Sequence, residues 1–239
     1  MAKRGKIRRN SRKKTIEKLK RPINIRKYKH FFLIVCEDTK TEPTYFEQFK
    51  AFFPPNTLHL EMVGTGKSPL GVVQACITER HRLKVETRKE IDFVWAVFDK
   101  DDADKNNTKS AKFEAAFALA KQEHIHIAYS NEVFELWLLL HLRNIDMKEP
   151  IPRRQIYEML AEKVRKPGTK YENFIYEHGK SNIIAVIAAI GNEKKAIERA
   201  EKLLEYHENK PPLKTNPSTL VHILVKELRA WIVFYNWKA

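Results

Sequence analysis

Residues 93–101 read Phe93-Val94-Trp95-Ala96-Val97-Phe98-Asp99-Lys100-Asp101. Apolar residues rich in branched and aromatic side chains fill the first part, which predicts a strand over residues 92–98 that is buried on both faces. The acidic residues begin where the apolar run stops. The stretch therefore predicts a buried strand whose carboxyl end opens into an acidic loop.

The same order of a short apolar run followed by a helical pattern recurs along the first half of the chain. Further strands are predicted at residues 31–36, 58–63 and 125–129, each followed by apolar residues at helical spacing. Repeated strand–helix units predict an α/β fold with a parallel sheet and flanking helices. Ligands of such sheets bind beyond the carboxyl ends of the strands, so a site is expected at that edge.

The chain is predicted to have three parts. Residues 1–29 form a basic, flexible tail, and residues 30–145 form the α/β domain. Residues 146–239 form a helical C-terminal region packed on that domain, with helices at 153–166, 182–208 and 217–237 separated by prolines. The apolar end of the last helix could form an interface, so an oligomer is possible.

Charge is concentrated in the amino-terminal part. The formal net charge is +15, and residues 1–29 hold fourteen Lys or Arg against one acid, Glu17, which leaves the remainder nearly neutral. Such a block is attracted to polyanions, and its binding to phosphates would depend steeply on salt. The predicted partner is nucleic acid, DNA or RNA, held by this tail. The alternative is a solubilising leader without a specific partner.

The cysteine content and the hydropathy argue against a disulfide-stabilised protein, a cysteine-rich zinc protein and a membrane-spanning protein. Only Cys36 and Cys76 are present, without a CxxC motif, so neither a disulfide framework nor a cysteine-rich zinc site is indicated. The longest apolar run, residues 183–190, is much shorter than the roughly 20 residues of a membrane span. We therefore expect a cytoplasmic protein with no membrane partner.

Three acidic residues are predicted to meet at the sheet edge. Side chains alternate in an extended segment, so Asp99 and Asp101 should point to one side and Lys100 to the other. Glu37 holds the matching place after the first strand. Clustered carboxylates suit Mg²⁺ or Mn²⁺, and Glu37 would act as a ligand or as a general acid/base. The alternative for Asp99 and Asp101 is a solvated acidic turn.

Two further glutamates need separate interpretations. Glu135 lies in the almost wholly apolar run 133–140, so it should be buried and need a cation or a hydrogen-bond donor. It either supports the acidic cluster or forms a structural salt bridge. Glu42 falls in the first turn of a predicted helix, where the helix dipole explains it without catalysis, and we favour that explanation.

Other motifs are weaker. Residues 64–68 resemble the end of a phosphate-binding P-loop, but Glu61 stands where that motif needs glycine, so ATP binding is not predicted. His124 and His126 lack further soft ligands nearby and are better explained as ordinary strand histidines.

Several segments carry a resemblance to a known family. They are Phe32–Glu37, Lys40–Phe46, Val97–Asp101, Ser130–His141 and Asn216–Thr219, in this order along the chain. Together they resemble the RloB-like family, which is similar to TOPRIM metal-binding domains. The resemblance implies the glutamate after strand one, Glu37, and the Asp-x-Asp after strand three, Asp99 and Asp101. TOPRIM proteins usually place glycine after the glutamate, where this chain has Asp38. The resemblance also implies a bacterial anti-phage or restriction-linked system with an ATPase as a possible partner.

The sequence thus favours a Mg²⁺- or Mn²⁺-dependent nuclease of TOPRIM type, with Glu37, Asp99 and Asp101 as metal ligands and Glu135 in support. The alternative is a non-catalytic subunit that binds nucleic acid for, or regulates, an ATPase-containing defence complex. Phosphoryl transfer through an Asp-x-Asp nucleophile fits poorly, because that nucleophile normally follows the first strand.

Overall fold

The computed structural model describes residues 28–237, so the predicted basic tail lies outside the described residues except for its last two positions. The strands are β1 (His30–Cys36), β2 (Leu58–Gly64), β3 (Phe93–Asp99), β4 (His126–Asn131) and β5 (Ser218–Thr219). They form one sheet in the order β2-β1-β3-β4-β5. The first four strands are parallel, and β5 is antiparallel to β4. The predicted α/β class with a parallel sheet is confirmed.

Eight α-helices surround this sheet within residues 28–237. They are α1 (Thr41–Glu47), α2 (Pro69–Thr87), α3 (Asn107–Gln122), α4 (Glu135–Leu140), α5 (Arg153–Val164), α6 (Asn182–Ile190), α7 (Glu193–Tyr206) and α8 (Val221–Trp237). None of these helices has both the length and the apolar surface that crossing a bilayer requires.

The two faces of the sheet bury separate apolar clusters, because side chains alternate along each strand. Phe31, Leu33 and Val35 of β1 pack with α2 and α3 on one face. Phe32 and Ile34 point to the other face, where α1, α4 and the helices of the C-terminal region cover them. Both faces of the parallel strands are therefore covered, as expected for such a sheet.

The C-terminal region differs from the all-helical prediction, which is wrong at one point. Thr219 and Ser218 pair with Ser130 and Asn131, so the region adds a strand to the sheet. Ser130 and Asn131 accordingly belong to β4 and do not cap the next helix. A two-residue strand is too short for periodicity to detect.

The predicted helix over residues 182–208 is divided into α6 and α7. α6 ends at Ile190, and the Asn192 side chain accepts a hydrogen bond from the Lys195 N–H at 2.9 Å, which starts α7. An asparagine in this position is a strong helix N-cap. The turn lets both helices bury their apolar faces against the same core.

Candidate functional site at the carboxyl ends of the strands

The site begins where two neighbouring parallel strands end. Glu37 directly follows β1, and Asp99 is the last residue of β3. Glu37 Oε2 accepts a hydrogen bond from the Asp99 backbone N–H at 3.0 Å. The Glu37 backbone N–H donates to the Val97 carbonyl at 2.8 Å, which extends the pairing of the two strands. The first two predicted site residues are thus adjacent in space.

The loop between β1 and α1 is held by Asp38. Its carboxylate accepts hydrogen bonds from the backbone N–H groups of Thr39, Lys40 and Thr41, at 2.6, 3.2 and 2.7 Å. Burial acts to raise the pKa of Asp38, but these bonds outweigh it, and the pKa lies below its ordinary value. Asp38 therefore organises the start of α1, and its carboxylate is already satisfied.

Glu42 lines the candidate site, a position that the favoured helix-dipole explanation did not anticipate. It lies in the first turn of α1, as the helix-dipole explanation requires, but it is only 1% exposed and lines the same cavity as Glu37 and Asp99. Its carboxylate accepts the Asp38 backbone N–H at 3.1 Å. A dipole effect does not explain such burial. The sequence held a signal, because Glu42 lies on the helical stripe of Tyr45, Phe46 and Phe49.

The three carboxyl groups of Glu37, Glu42 and Asp99 resist ionisation. Burial raises the pKa of Glu37 to about 7, although the Asp99 N–H acts in the opposite direction. Burial first, and then the neighbouring carboxylates, raise the pKa values of Glu42 and Asp99 well above their ordinary range. Asp99 keeps some exposed surface, but its Oδ1 atom is buried and has no hydrogen-bond partner among residues 28–237. Such an atom is expected to have a cation or a proton beside it.

Asp101 is turned toward an arginine. Its backbone is left-handed, with φ at 51°. Its Oδ1 lies 3.0 Å from Nη1 of Arg153, and the other guanidinium nitrogen lies 3.3 Å from Asp102 Oδ1. The strand ends at Asp99 and Asp101 lies in a turn, so the alternation expected of an extended segment does not hold there. The buried Lys100 side chain pairs with Asp104 and Glu132 at 2.7 and 3.1 Å.

Glu135 is buried at the start of α4, and two polar groups from the C-terminal region contact it. The Tyr176 hydroxyl donates a hydrogen bond to Glu135 Oε1, and His178 Nδ1 lies 3.8 Å from the same oxygen. The hydrogen bond and charge of Glu135 raise the pKa of His178. Glu135 thus has the donor that its burial requires, and it faces the acidic cluster.

These residues line one cavity of about 230 Å³. Its walls are Glu37, Asp38, Thr41, Glu42, Asp99, Asp101, Val133, Phe134, Glu135, Arg153, Tyr157 and His178. All four predicted site residues, Glu37, Asp99, Asp101 and Glu135, therefore reach the same cavity.

The model of the RloB-like protein family matches residues 32–228. The chain belongs to the RloB-like family. The match includes every residue that lines the cavity, and it extends through the C-terminal region to α8. Neither the curated proteins nor the solved structures include a match to this chain.

The cavity has the type of ligand that a hard divalent cation prefers, but its side chains are not positioned to coordinate one. Carboxylate oxygens are the ligands that Mg²⁺ and Mn²⁺ prefer, and the buried Asp99 Oδ1 has a free acceptor. Within residues 28–237, however, no group of three or more His, Cys, Asp or Glu side chains is placed so that it could hold a metal ion. The ion pair of Asp101 with Arg153 and the hydrogen bond of Glu135 with Tyr176 turn two of these carboxylates to other partners.

Residues from the C-terminal half complete the cavity, and sequence reasoning did not find them. Arg153, Tyr157 and His178 are far from the strands in sequence, and no motif links them to the acidic residues. Their place in the site depends on how α5 and the segment after it pack against α4, which local patterns do not encode.

Two weaker motifs have structural roles. The loop of residues 64–68 packs closely against the loop after β1 at Gly64. The Gly66 N–H donates a hydrogen bond to the Glu37 carbonyl at 2.7 Å. His126 lies in β4 and stacks on Trp95 with ring centres 4.8 Å apart, as expected for an ordinary strand histidine. His124 is not a strand residue as predicted, because it lies in the turn before β4 with φ at 53°.

Proposed function

We propose that this RloB-like protein is a Mg²⁺- or Mn²⁺-dependent nuclease of TOPRIM type that cleaves nucleic-acid phosphodiesters. The proposal rests mainly on the Asp99 carboxyl group. Its buried Oδ1 atom has no hydrogen-bond partner among residues 28–237, and Glu37 and Glu42 beside it also have raised pKa values. Such a group is costly as an isolated anion, by several kcal/mol, and a bound cation would remove most of that cost.

Asp99 and Asp101 would hold the metal, Glu37 would serve either as a third ligand or as the proton-transfer group, and Glu42 and Glu135 would lie next to it. When bound, the metal would supply positive charge to the scissile phosphate and its leaving oxygen. Asp101 must leave Arg153 to take part, since the two side chains form an ion pair at 3.0 Å.

Two side chains of the cavity suit the remaining chemistry. The pKa of Glu37 is about 7, so its carboxyl group both holds and releases a proton near neutral pH. A general acid/base works best with such a pKa, so a Glu37 that does not itself bind the metal would accept the proton of the attacking water. Arg153 presents a planar guanidinium to the cavity, which suits binding of a phosphate.

Binding of the polymer would come from elsewhere in the chain. The fourteen basic residues within 1–29 would attract DNA or RNA and raise its concentration at the cavity. An ATPase partner and a role in anti-phage or restriction-linked defence rest on the family resemblance, and they belong to this proposal as its context.

A second candidate is a non-catalytic subunit that binds nucleic acid. It is favoured by one observation, the lack of a group already arranged to hold a metal within residues 28–237. In that case the acidic cavity would have no role in cleavage, and the protein would deliver nucleic acid to a partner enzyme.

Cleavage assays with single- and double-stranded DNA and RNA in Mg²⁺, Mn²⁺ or EDTA separate the two candidates. We expect metal-dependent cleavage that falls by at least about 100-fold in Asp99→Asn and Asp101→Asn, because loss of a charge that stabilises the transition state costs this much. Binding of the same substrates should be largely retained, since the basic tail is intact. Glu42→Gln should also lower cleavage.

Asp146→Asn is the matched control, because it changes an exposed acid that neither lines the cavity nor pairs with Arg153. It should cleave at nearly the wild-type rate. Wild-type cleavage by Asp99→Asn, or no effect of either metal on cleavage or thermal stability, would favour the non-catalytic candidate.

A further inference from the structure

A second depression adjoins the acidic cavity. It is a groove of about 480 Å³, and Tyr157 lines both the groove and the cavity. Tyr176 forms another part of the groove wall, and Arg165 lies on its rim. The groove is formed by α5 and the segment that follows it, and Tyr157 is the residue that it shares with the cavity.

The groove wall is an aromatic cluster of fixed geometry. The rings of Tyr157 and Tyr176 lie 5.2 Å apart at 34°, and the rings of Tyr157 and His178 lie 5.4 Å apart at 35°. The Tyr157 hydroxyl is 3.1 Å from His178 Nδ1, and the Tyr176 hydroxyl is bonded to Glu135. These bonds hold the rings in place, while both tyrosines remain partly exposed.

One cation of the groove is open to a phosphate. Arg165 lines the groove and is exposed, with its Nε bonded to the Phe174 carbonyl at 2.7 Å. The two glutamates of the lining are paired with neighbours, Glu158 with Arg154 at 2.9 Å and Glu162 with Lys163 at 3.3 Å. Arg165 is therefore the cation that the aromatic surface offers to a phosphate.

We infer that this groove binds an unpaired nucleobase, so that the substrate of the acidic cavity is a single-stranded segment of nucleic acid. Bases stack on aromatic side chains irrespective of sequence, and Arg165 would contact a phosphate next to the stacked base. A base inside a duplex is already stacked and paired, so it does not reach Tyr157. The inference rests on the proposed function for the identity of the polymer.

Binding measured in EDTA tests the groove without any cleavage. The full chain is titrated against a short labelled single strand and against its blunt duplex, at a salt concentration high enough to weaken the contribution of the basic tail. Tyr157→Leu should bind the single strand about tenfold more weakly, as loss of one stacking contact predicts. Tyr157→Phe keeps the ring but loses the hydrogen bond to His178, so it should lose clearly less affinity than Tyr157→Leu.

Tyr206→Leu is the matched control, because Tyr206 is a half-exposed tyrosine of α7 that lines neither the groove nor the cavity. It should leave the affinity unchanged. Equal affinities of wild type and Tyr157→Leu, or a loss as large in Tyr157→Phe, would overturn the stacking role. Binding of the duplex as tightly as the single strand would also refute the inference that the groove binds an unpaired base.

Photocrosslinking of a 5-bromouracil strand to the wild-type protein gives a result even where Tyr157→Leu fails to fold. Crosslinks at Tyr157, Tyr176 or His178 are expected, and crosslinks confined to other residues would refute the site. The cleavage assay judges the proposed function separately. If Tyr157 contributed to single-strand binding but no metal-dependent cleavage were found, the base-binding groove would be supported and the proposed nuclease function refuted.

Discussion

At the scale of single residues, the site is defined by carboxyl groups that do not ionise readily. Glu37, Glu42 and Asp99 all have raised pKa values, and burial is the first cause for each. Asp38 has the opposite behaviour, although it is next to Glu37, because three backbone N–H groups stabilise its charge. Adjacent acids thus differ: Asp38 fixes the loop as a stabilised carboxylate, whereas burial favours the protonated form of the other three.

This difference predicts a pH-dependent gain of stability in Glu37→Gln. As pH rises from about 4.5 to about 7, the unfolded chain loses the Glu37 proton while the folded protein keeps it, so stability falls across this window. Glutamine has no charge to lose and still accepts the Asp99 N–H. The free energy of unfolding should rise by about 2–3 kcal/mol at pH 8 and hardly at all at pH 4.

Urea denaturation in EDTA at pH 4, 6 and 8 measures the effect. Glu47→Gln removes a solvated carboxylate that pairs with Lys50 on the surface, so it should change stability by less than about 0.5 kcal/mol at every pH. A difference between Glu37→Gln and wild type that is the same at pH 4 and pH 8 would refute the assignment.

At the scale of elements, the sequence predicted the strands well because each is a short apolar run that ends in polar residues. β1 and β3 have this form, and both were placed within one residue of their observed ends. The convergence of Glu37 with Asp99 followed from the rule for parallel strands. Neither β5 nor the contribution of α5 was predictable, because a two-residue strand has no period and helix packing is not local.

The loop between β1 and α1 depends on a glycine of the neighbouring strand. A Cβ at Gly64 would lie 2.6 Å from Thr39 Cα and 2.7 Å from the Asp38 carbonyl oxygen, both of them backbone atoms. Gly64→Ala therefore has to displace the loop that positions Asp38 and Glu42. We expect a loss of about 1–3 kcal/mol in the free energy of unfolding, measured by urea denaturation.

Ser68→Ala serves as its control within the same connection, since Ser68 makes no side-chain capping bond to α2. It should stay within about 0.5 kcal/mol of wild type. If Gly64→Ala were as stable as Ser68→Ala, the close approach of the two loops would not constrain the site.

At the scale of the whole molecule, the cavity lies between the α/β part and the C-terminal region. The α/β part supplies the acids, whereas α5 and the segment after it supply Arg153, Tyr157 and His178. Both regions also share one apolar cluster, with residues of β1 and α8 among its members. Arg153, which pairs with Asp101, is thus a cation that the C-terminal region provides to the acids.

Arg153→Ala should change metal binding and cleavage in opposite directions. Without the guanidinium, Asp101 is free to turn to a divalent ion, so Mn²⁺ should bind about five- to tenfold more tightly, as measured by electron paramagnetic resonance or calorimetry. Cleavage should nevertheless fall, because the substrate phosphate loses its arginine. Arg154→Ala removes an equal charge that is 89% exposed and paired with Glu158, so it should do neither. A variant that merely loosened the fold would weaken metal binding and cleavage together, and that outcome would exclude the competition between Arg153 and the metal for Asp101.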